Sequence, residues 1–301
     1  MSNTLTILGI DAADYALCHE WGCSNLLLDR DQKLESFAHS TDVPATLEVW
    51  PSIATGQRPT EHGVLLNAED RDTGSSLYRL AVSANKALPD LLSDRIRALK
   101  EQQVGTSFPQ TSAQTIFTET GGTAYNWPGV TPCHDWDREG EWFQSVIEGD
   151  LPEQEFYRRQ LGDAGKGVGW LAAQAQADVP VAGAHIHILD HMGHLYGERP
   201  EKLRQSYDAV DELVGWLQER VDSLIIISDH GMQSTAVDSD DDPGVHSWRA
   251  MVAATDDIET LPDGVLDVYE WLLMQINDEE VDETTTTVDA PMEHLKDLGY
   301  L

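Results

Sequence analysis

Six carboxylate and imidazole side chains, of types that bind divalent cations, fall in short clusters beside apolar runs. Asp11 directly follows Leu5 to Ile10; Asp190 and His194 follow Ala182 to Leu189; Asp229 and His230 follow Ser223 to Ile227. His246 sits in a Gly244-Val245-His246 turn just before Ala250 to Ala254. Each run has the length of a strand, and parallel α/β sheets gather their active sites at the C-terminal ends of strands. Carboxylate and imidazole donors in this mixture suit Zn²⁺, Mn²⁺ or Fe²⁺ better than Ca²⁺, which takes an all-oxygen shell. Three carboxylates and three imidazoles are enough for two ions. One Asp-His pair alone fits a hydrogen-bonded structural pair equally well, but four clusters on one sheet edge favour metal binding.

Strand-length apolar runs at Leu5 to Ile10, Asn25 to Leu28, Thr123 to Trp127, Ala182 to Leu189, Ser223 to Ile227 and Ala250 to Ala254 must position these groups. They alternate with stretches of three- and four-residue apolar spacing, Leu88 to Glu101, Glu153 to Ala177 and Glu201 to Val221, which predict amphipathic helices. The pattern predicts an α/β fold, a three-layer sandwich whose central sheet is mostly parallel and covered on both faces. Residues 1–301 read as a single domain, with a variable, cap-like region at about 68–175. Asp238 to Asp242 and Asn277 to Val288 read as exposed loops.

The 301 residues carry 53 acidic and 19 basic side chains, a formal charge of −34, while a hydrophobic content of 41% and nine tryptophans supply a core. Such a surface repels nucleic-acid phosphates and anionic lipid, so neither duplex nucleic acid nor a membrane is an expected partner. Only six of the basic residues are lysines, and the composition resembles proteins of salt-in halophiles. Cys18, Cys23 and Cys133 form no C-x-x-C pair and fit buried free thiols in a reducing compartment. The apolar run near the N-terminus is too short for a signal peptide or membrane span. These features predict a soluble cytoplasmic protein and leave its oligomeric state open.

Ile7-Leu8-Gly9-Ile10-Asp11, T-L-E-V-W-P-S-I-A-T-G-Q-R-P-T-E-H-G from Thr46 to Gly63, D-H-M-G-H-L-Y-G from Asp190 to Gly197, S-D-H-G-M from Ser228 to Met232, Gly244 to His246 and L-K-D-L-G-Y-L at the C-terminus occur in that order. The set resembles the alkaline phosphatase superfamily in its nucleotide pyrophosphatase/phosphodiesterase, or type I phosphodiesterase, branch. Residues 68–175 match only loosely. The resemblance implies one ion on Asp190, His194 and His246, a second on Asp11, Asp229 and His230, and Thr46 as nucleophile on the second ion. A cation is a direct way to activate a threonine hydroxyl, a poor nucleophile by itself. In-line attack then gives a phosphothreonine intermediate that water hydrolyses. Asn67, 21 residues beyond Thr46, takes the place of the family's donor to a non-bridging oxygen. The backbone N–H of Leu47 is a second candidate donor.

The implied activity is hydrolysis of a small-molecule phosphodiester or nucleotide by a two-metal phosphoesterase, with a phosphomonoesterase as the nearest variant. No sulfatase-type C-x-P-x-R segment is present. Of a different class, a non-catalytic metal-binding scaffold is disfavoured by retention of every expected ligand. Thr46 also fits a helix N-cap. Glu48 stands where the family often has proline, and reads as a solvent-facing acid of a first helical turn. His185, His187 and His191 read as supporting or core histidines, His62 as a brace for the nucleophile segment, and Trp50, Trp127 and Trp136 as packing residues.

Overall fold

The computed structural model describes residues 4–66, 109–132, 136–177 and 179–276. In chain order their elements are β1 (Leu5–Ile10), α1 (Tyr15–Trp21), α2 (Ser24–Leu27), β2 (Arg30–Leu34), α3 (Thr46–Thr55), α4 (Pro59–His62), α5 (Ile116–Glu119), β3 (Thr123–Tyr125) and α6 (Trp136–Glu148). There follow α7 (Glu153–Gln174), β4 (Val181–Ile186), α8 (Ile188–Tyr196), α9 (Pro200–Gln218), β5 (Ser223–Ile227), β6 (Gly231–Met232), β7 (His246–Ser247), β8 (Ala250–Ala254) and α10 (Val268–Gln275).

β1, β4, β5 and β8 are buried at every position, which is why their sequences run apolar without alternation. They lie in a six-stranded sheet of order β2-β8-β5-β1-β4-β3. β1 pairs in parallel with β4 and β5, and β3 with β4, while β8 runs antiparallel to β5 and β2. Alternate residues feed two cores. Leu8, Ile10, Leu224 and Ile226 face α7, α8 and α9, whereas Leu5, Ile7, Ile225 and Ile227 face α3, α5 and α10. The expected three-layer α/β sandwich is the architecture found.

Several expectations change in detail. Asn25 to Leu28 is a helical turn, α2, rather than a strand. The strand at that sheet edge is the polar Arg30–Leu34, with only Leu34 buried. The run from Ala182 ends as a strand at Ile186, and its last apolar residues, Ile188 and Leu189, begin α8. Asp190 therefore rides in the first turn of a helix. From the cap-like stretch, residues 109–132 and 136–175 contribute the edge strand β3 and the long α7 that packs on β4. Asp240 of the acidic loop is not exposed: it pairs with Arg249, at 2.6 Å. The helix expected over Leu88 to Glu101, Asn67, Cys133 and everything after residue 276 lie outside the described residues.

The antiparallel turn of β8 matters for the site. Because β8 opposes β5, the residues that precede it, 246–249, reach the same sheet edge as the C-terminal ends of β1, β4 and β5.

α3 can approach β1 closely because position 9 has no side chain: a Cβ there would lie 2.8 Å from the ring carbons of Trp50. Gly9→Ala is expected to lower stability by about 1–3 kcal/mol through overpacking. Gly162→Ala, on the exposed face of α7 with nothing within 4 Å, should raise it by roughly 0.5–1 kcal/mol. Thermal or urea denaturation of the two variants would reveal the opposite signs; equal effects would mean that the Trp50 contact does not set the helix position.

Candidate metal centre and nucleophile

Asp11 leaves the end of β1 on a strained turn, with Ala12 at φ 57°. The turn is held by Tyr207, whose hydroxyl donates to the Ala12 carbonyl at 3.2 Å and accepts from the Asp14 amide at 3.0 Å. Asp229 and His230 follow β5, and the Asp229 carboxylate accepts from the Ala12 amide at 3.4 Å. His230 Nε2 lies 3.3 Å from both Asp11 Oδ1 and Asp229 Oδ2. One ligand atom from each of Asp11, Asp229 and His230 lies within 4.8 Å of the others, and the same holds for Asp190, His194 and His246.

In that second group, Asp190 Oδ1 is 3.0 Å from His194 Nε2 and 3.2 Å from His246 Nε2. The i and i+4 positions of α8 put Asp190 and His194 on one helix face. His194 Nδ1 is 2.7 Å from the Gly244 carbonyl, His246 Nδ1 2.8 Å from the Pro44 carbonyl and His230 Nδ1 3.0 Å from the Gly231 carbonyl. A carbonyl can only accept, so all three rings donate from Nδ1 and turn Nε2 inward, the tautomer of a metal-bound imidazole. The Nε2 atoms of His194 and His246 then face each other at 3.1 Å beside a carboxylate oxygen. A cation satisfies that convergence of lone pairs. Consistently, the buried oxygens Asp190 Oδ1 and Asp229 Oδ2 accept no hydrogen bond.

Thr46 is the first residue of α3. Ala45 takes the N-cap position, so the Thr46 hydroxyl is not spent on capping, contrary to that alternative for it. Its Oγ1 lies 3.2 Å from Asp11 Oδ1 and 3.2 Å from His230 Nε2. The Glu48 and Val49 amides turn back to the Ala45 carbonyl. Thr46 and Leu47 stand at the helix start, where the first backbone N–H groups have no carbonyl of the same helix to bond. Of the expected site residues, Asp11, Thr46, Asp229 and His230 come together in one group and Asp190, His194 and His246 in the other; Leu47 follows Thr46 in α3, and Asn67 lies outside the described residues.

Glu48 does not face solvent. It is fully buried, and its oxygens accept from the Ser40 amide at 3.0 Å and the Leu66 amide at 3.2 Å. His62 braces the same helix: its Nδ1 accepts from Val64 N at 3.2 Å, so Nε2–H donates to Ser52 Oγ at 3.0 Å, and Ser52 donates to the Glu48 carbonyl.

The family model for type I phosphodiesterase/nucleotide pyrophosphatase matches residues 27–298. The chain belongs to this family. Asp11 precedes the matched stretch, yet the fold carries it to the same point as the ligands within it. Among solved structures, murine ectonucleotide pyrophosphatase/phosphodiesterase 5 is 14% identical with a TM-score of 0.41 over 77% of this chain and 58% of its own. An inactive form of that protein in complex with AMP gives 14% and 0.43, over 77% and 57%. Alkaline phosphatase from the Antarctic bacterium TAB5 gives 11% and 0.43 over 90% and 97%. The chain thus spans under three-fifths of the murine protein's length. A search of curated proteins gives no match.

In this phosphodiesterase-family chain His185 and His187 take the supporting places expected of them, while Glu139 is not among the expected residues. His185 Nε2 donates to Asp11 Oδ2 at 3.1 Å. His187 lies between acids: Nδ1 is 3.2 Å from Glu139 Oε2, and Nε2 is 3.3 Å from Asp190 Oδ2 and 3.6 Å from Asp11 Oδ2. Trp136 stacks on His187 at 4.6 Å, so this tryptophan packs on the supporting shell of the centre, while Trp50 and Trp127 are core residues as expected. His191 is held neutral by burial and the neighbouring His187 charge, its pKa lowered to about 3, and contacts Gln160. Glu139 carries no local sequence signal; its part follows from α6 docking beside α7 and β4.

Charge is the dominant feature of the centre. Burial disfavours ionised Asp11, but the His187 charge and hydrogen bonds from His185 and His230 outweigh it and hold this carboxyl well below its usual range. Burial and the Asp11 charge push Asp229 well above its usual range. His230 is pushed up to about 10: burial opposes the charge, but Asp229 and the Asp11 hydrogen bond prevail. Burial and the nearby His246 depress His194, leaving it neutral. The surroundings thus favour the protonated forms of Asp229 and His230 over their usual balance.

The sign of the resulting pH dependence follows. Ligation through Nε2 needs the unprotonated ring, so below about pH 10 a cation binding at His230 must displace its proton. Apparent affinity for Zn²⁺ or Mn²⁺ should therefore rise with pH, by up to about tenfold per unit for one displaced proton. Calorimetric titration in buffers of different ionisation enthalpy would count the protons; a pH-independent affinity without release would exclude His230 as a ligand.

Proposed function

We propose that this protein is a two-metal phosphoesterase that cleaves phosphodiester bonds of small molecules or nucleotides through a phosphothreonine at Thr46. The observation that carries the reading is the position of Thr46 Oγ1, 3.2 Å from Asp11 Oδ1 and His230 Nε2 at the start of α3. Membership of the type I phosphodiesterase family supports the phosphoester chemistry.

Asp11, Asp229 and His230 would hold one divalent cation, and Asp190, His194 and His246 the other. Their donor set suits zinc, manganese or iron. When bound, such a pair supplies Lewis-acid charge to the reacting oxygens. The chain's own groups do the rest. The Thr46 hydroxyl, 3.2 Å from Asp11 Oδ1, would release its proton to solvent and present the freed lone pair to phosphorus, and the departing ester oxygen would take a proton from water. The new Oγ1–P bond forms as the ester oxygen departs, and water later breaks the Oγ1–P bond to regenerate threonine. The Leu47 N–H and the positive end of α3 favour the phosphoryl oxygens. Asn67 is proposed as a further donor. Among the described residues no helix is long and apolar enough to cross a membrane. Buried free Cys18 and Cys23 support our placing the protein in a reducing cytoplasm.

Hydrolysis of bis-p-nitrophenyl phosphate, p-nitrophenyl phosphate and p-nitrophenyl sulfate, with Zn²⁺ or Mn²⁺ in high salt, tests the reading. Turnover of the diester, its loss in EDTA, and a fall in kcat of at least about 10³-fold in Thr46→Ala are expected. Preference for the monoester would assign the phosphomonoesterase variant, while an unimpaired Thr46→Ala enzyme would remove Thr46 from the nucleophile role.

A further inference from the structure

Asp14 is a fully buried carboxylate that neither ligand group uses, and it makes more bonds than a helix cap requires. Its Oδ1 caps α1 by accepting from the amides of Ala16 at 2.9 Å and Leu17 at 3.1 Å. Its Oδ2 accepts from the Met232 amide at 3.0 Å and from Ser247 Oγ at 2.7 Å. Arg249 Nε stands 2.9 Å from both oxygens. The same guanidinium reaches the Asp240 carboxylate at 2.6 and 2.8 Å and the Met232 carbonyl at 3.2 Å.

The partners are placed with respect to the centre. Asp14 is three residues beyond Asp11, Met232 two beyond His230, and Ser247 immediately after His246. One carboxylate thereby joins the segments that carry ligands of both groups. Close approach is possible because position 231 lacks a side chain: a Cβ there would lie 2.3 Å from Asp14 Oδ2 and 2.6 Å from Ser247 Oγ. The capping half of Asp14 explains none of these contacts.

We propose that Asp14, paired with Arg249, is a positioning residue that sets the mutual placement of Asp11, His230 and His246 and with it the affinity of both cation sites. This rests on the metal reading of the centre. Partners behind first ligands typically change metal affinity roughly 10–100-fold when removed. Asp14 differs from such partners in reaching the backbone and side-chain neighbours of the ligands rather than the ligands themselves.

The test is calorimetric titration of the metal-stripped full chain with Zn²⁺ or Mn²⁺, alongside circular dichroism and thermal unfolding. Wild type is compared with Asp14→Asn, Arg249→Lys and Ser247→Ala. Asp211→Asn serves as control, because Asp211 likewise tethers a chain segment through its carboxylate, accepting from Asn25 and Leu26 of α2, which belong to neither ligand group. We expect Asp14→Asn to weaken binding roughly 10–100-fold at both sites with secondary structure retained. Ser247→Ala, which removes one bond and leaves the carboxylate paired, should weaken it less and remain folded even where Asp14→Asn does not. Arg249→Lys should keep part of the affinity. Asp211→Asn should lower the melting temperature while binding metal as wild type does. Wild-type affinity in both Asp14→Asn and Ser247→Ala, or an equal loss in Asp211→Asn, would overturn the inference. A wild-type chain that binds neither ion would overturn the metal reading itself.

Discussion

Three carboxylates buried within reach of one another constrain everything else in this molecule. Asp11, Asp190 and Asp229 are almost wholly shielded from water, and His187 Nε2 lies within 3.6 Å of the first two. Like charges this close in a low-dielectric interior repel strongly, and desolvation adds a cost for each ion. The chain answers with imidazoles. His185 and His187 contact Asp11 from the β4 side, while His230 does so from the β5 side. Burial and the charge of Asp11 nonetheless raise Asp229 well above its usual range. The result is two groups of buried acids and imidazoles whose ligand atoms lie within 4.8 Å of one another, each a candidate cation site.

That constraint accounts for the layout of the sheet edge. Ligands arrive from the ends of β1 and β5, from the helix after β4 and from the turn before the antiparallel β8, so four connections end at one place. Each inward-facing ring is locked by a carbonyl from a different segment, namely Gly244, Pro44 and Gly231. Fixed tautomers reduce the reorganisation needed when an ion enters. The Asp14 and Arg249 pair acts one step further out, on the segments themselves.

The parts legible in the sequence are those whose signal is local. Strands covered on both faces read as unbroken apolar runs, and ligand types at their ends were recognisable from residue identity and order. β2 was not legible because an edge strand exposes most of its side chains, and Arg30–Leu34 accordingly has a polar composition. Asn25 to Leu28 forms a helical turn where a strand is expected, because three consecutive leucines have no period to separate strand from helix. Ala182 to Leu189 was read too long since Ile188 and Leu189 are buried on α8 as deeply as their predecessors on β4. Glu139 and Asp14 owe their parts to partners distant in sequence, which no spacing reveals.

Glu48 shows how a residue that looks adverse in sequence becomes neutral in context. A carboxylate two residues from the proposed nucleophile would repel a phosphoryl group if its charge were free. Its oxygens are instead turned onto the Ser40 and Leu66 amides, charge-assisted bonds that close the chain on either side of α3. The surface acids matter to the centre even less. The formal charge of −34 is spread along the chain, and at physiological ionic strength exposed charges are screened beyond about 8 Å, falling to about 3 Å at 1 M salt. Buried charges escape most of that screening. An anionic ester bound at the proposed site would therefore experience chiefly the few groups packed around Thr46, rather than the acidity of the exterior.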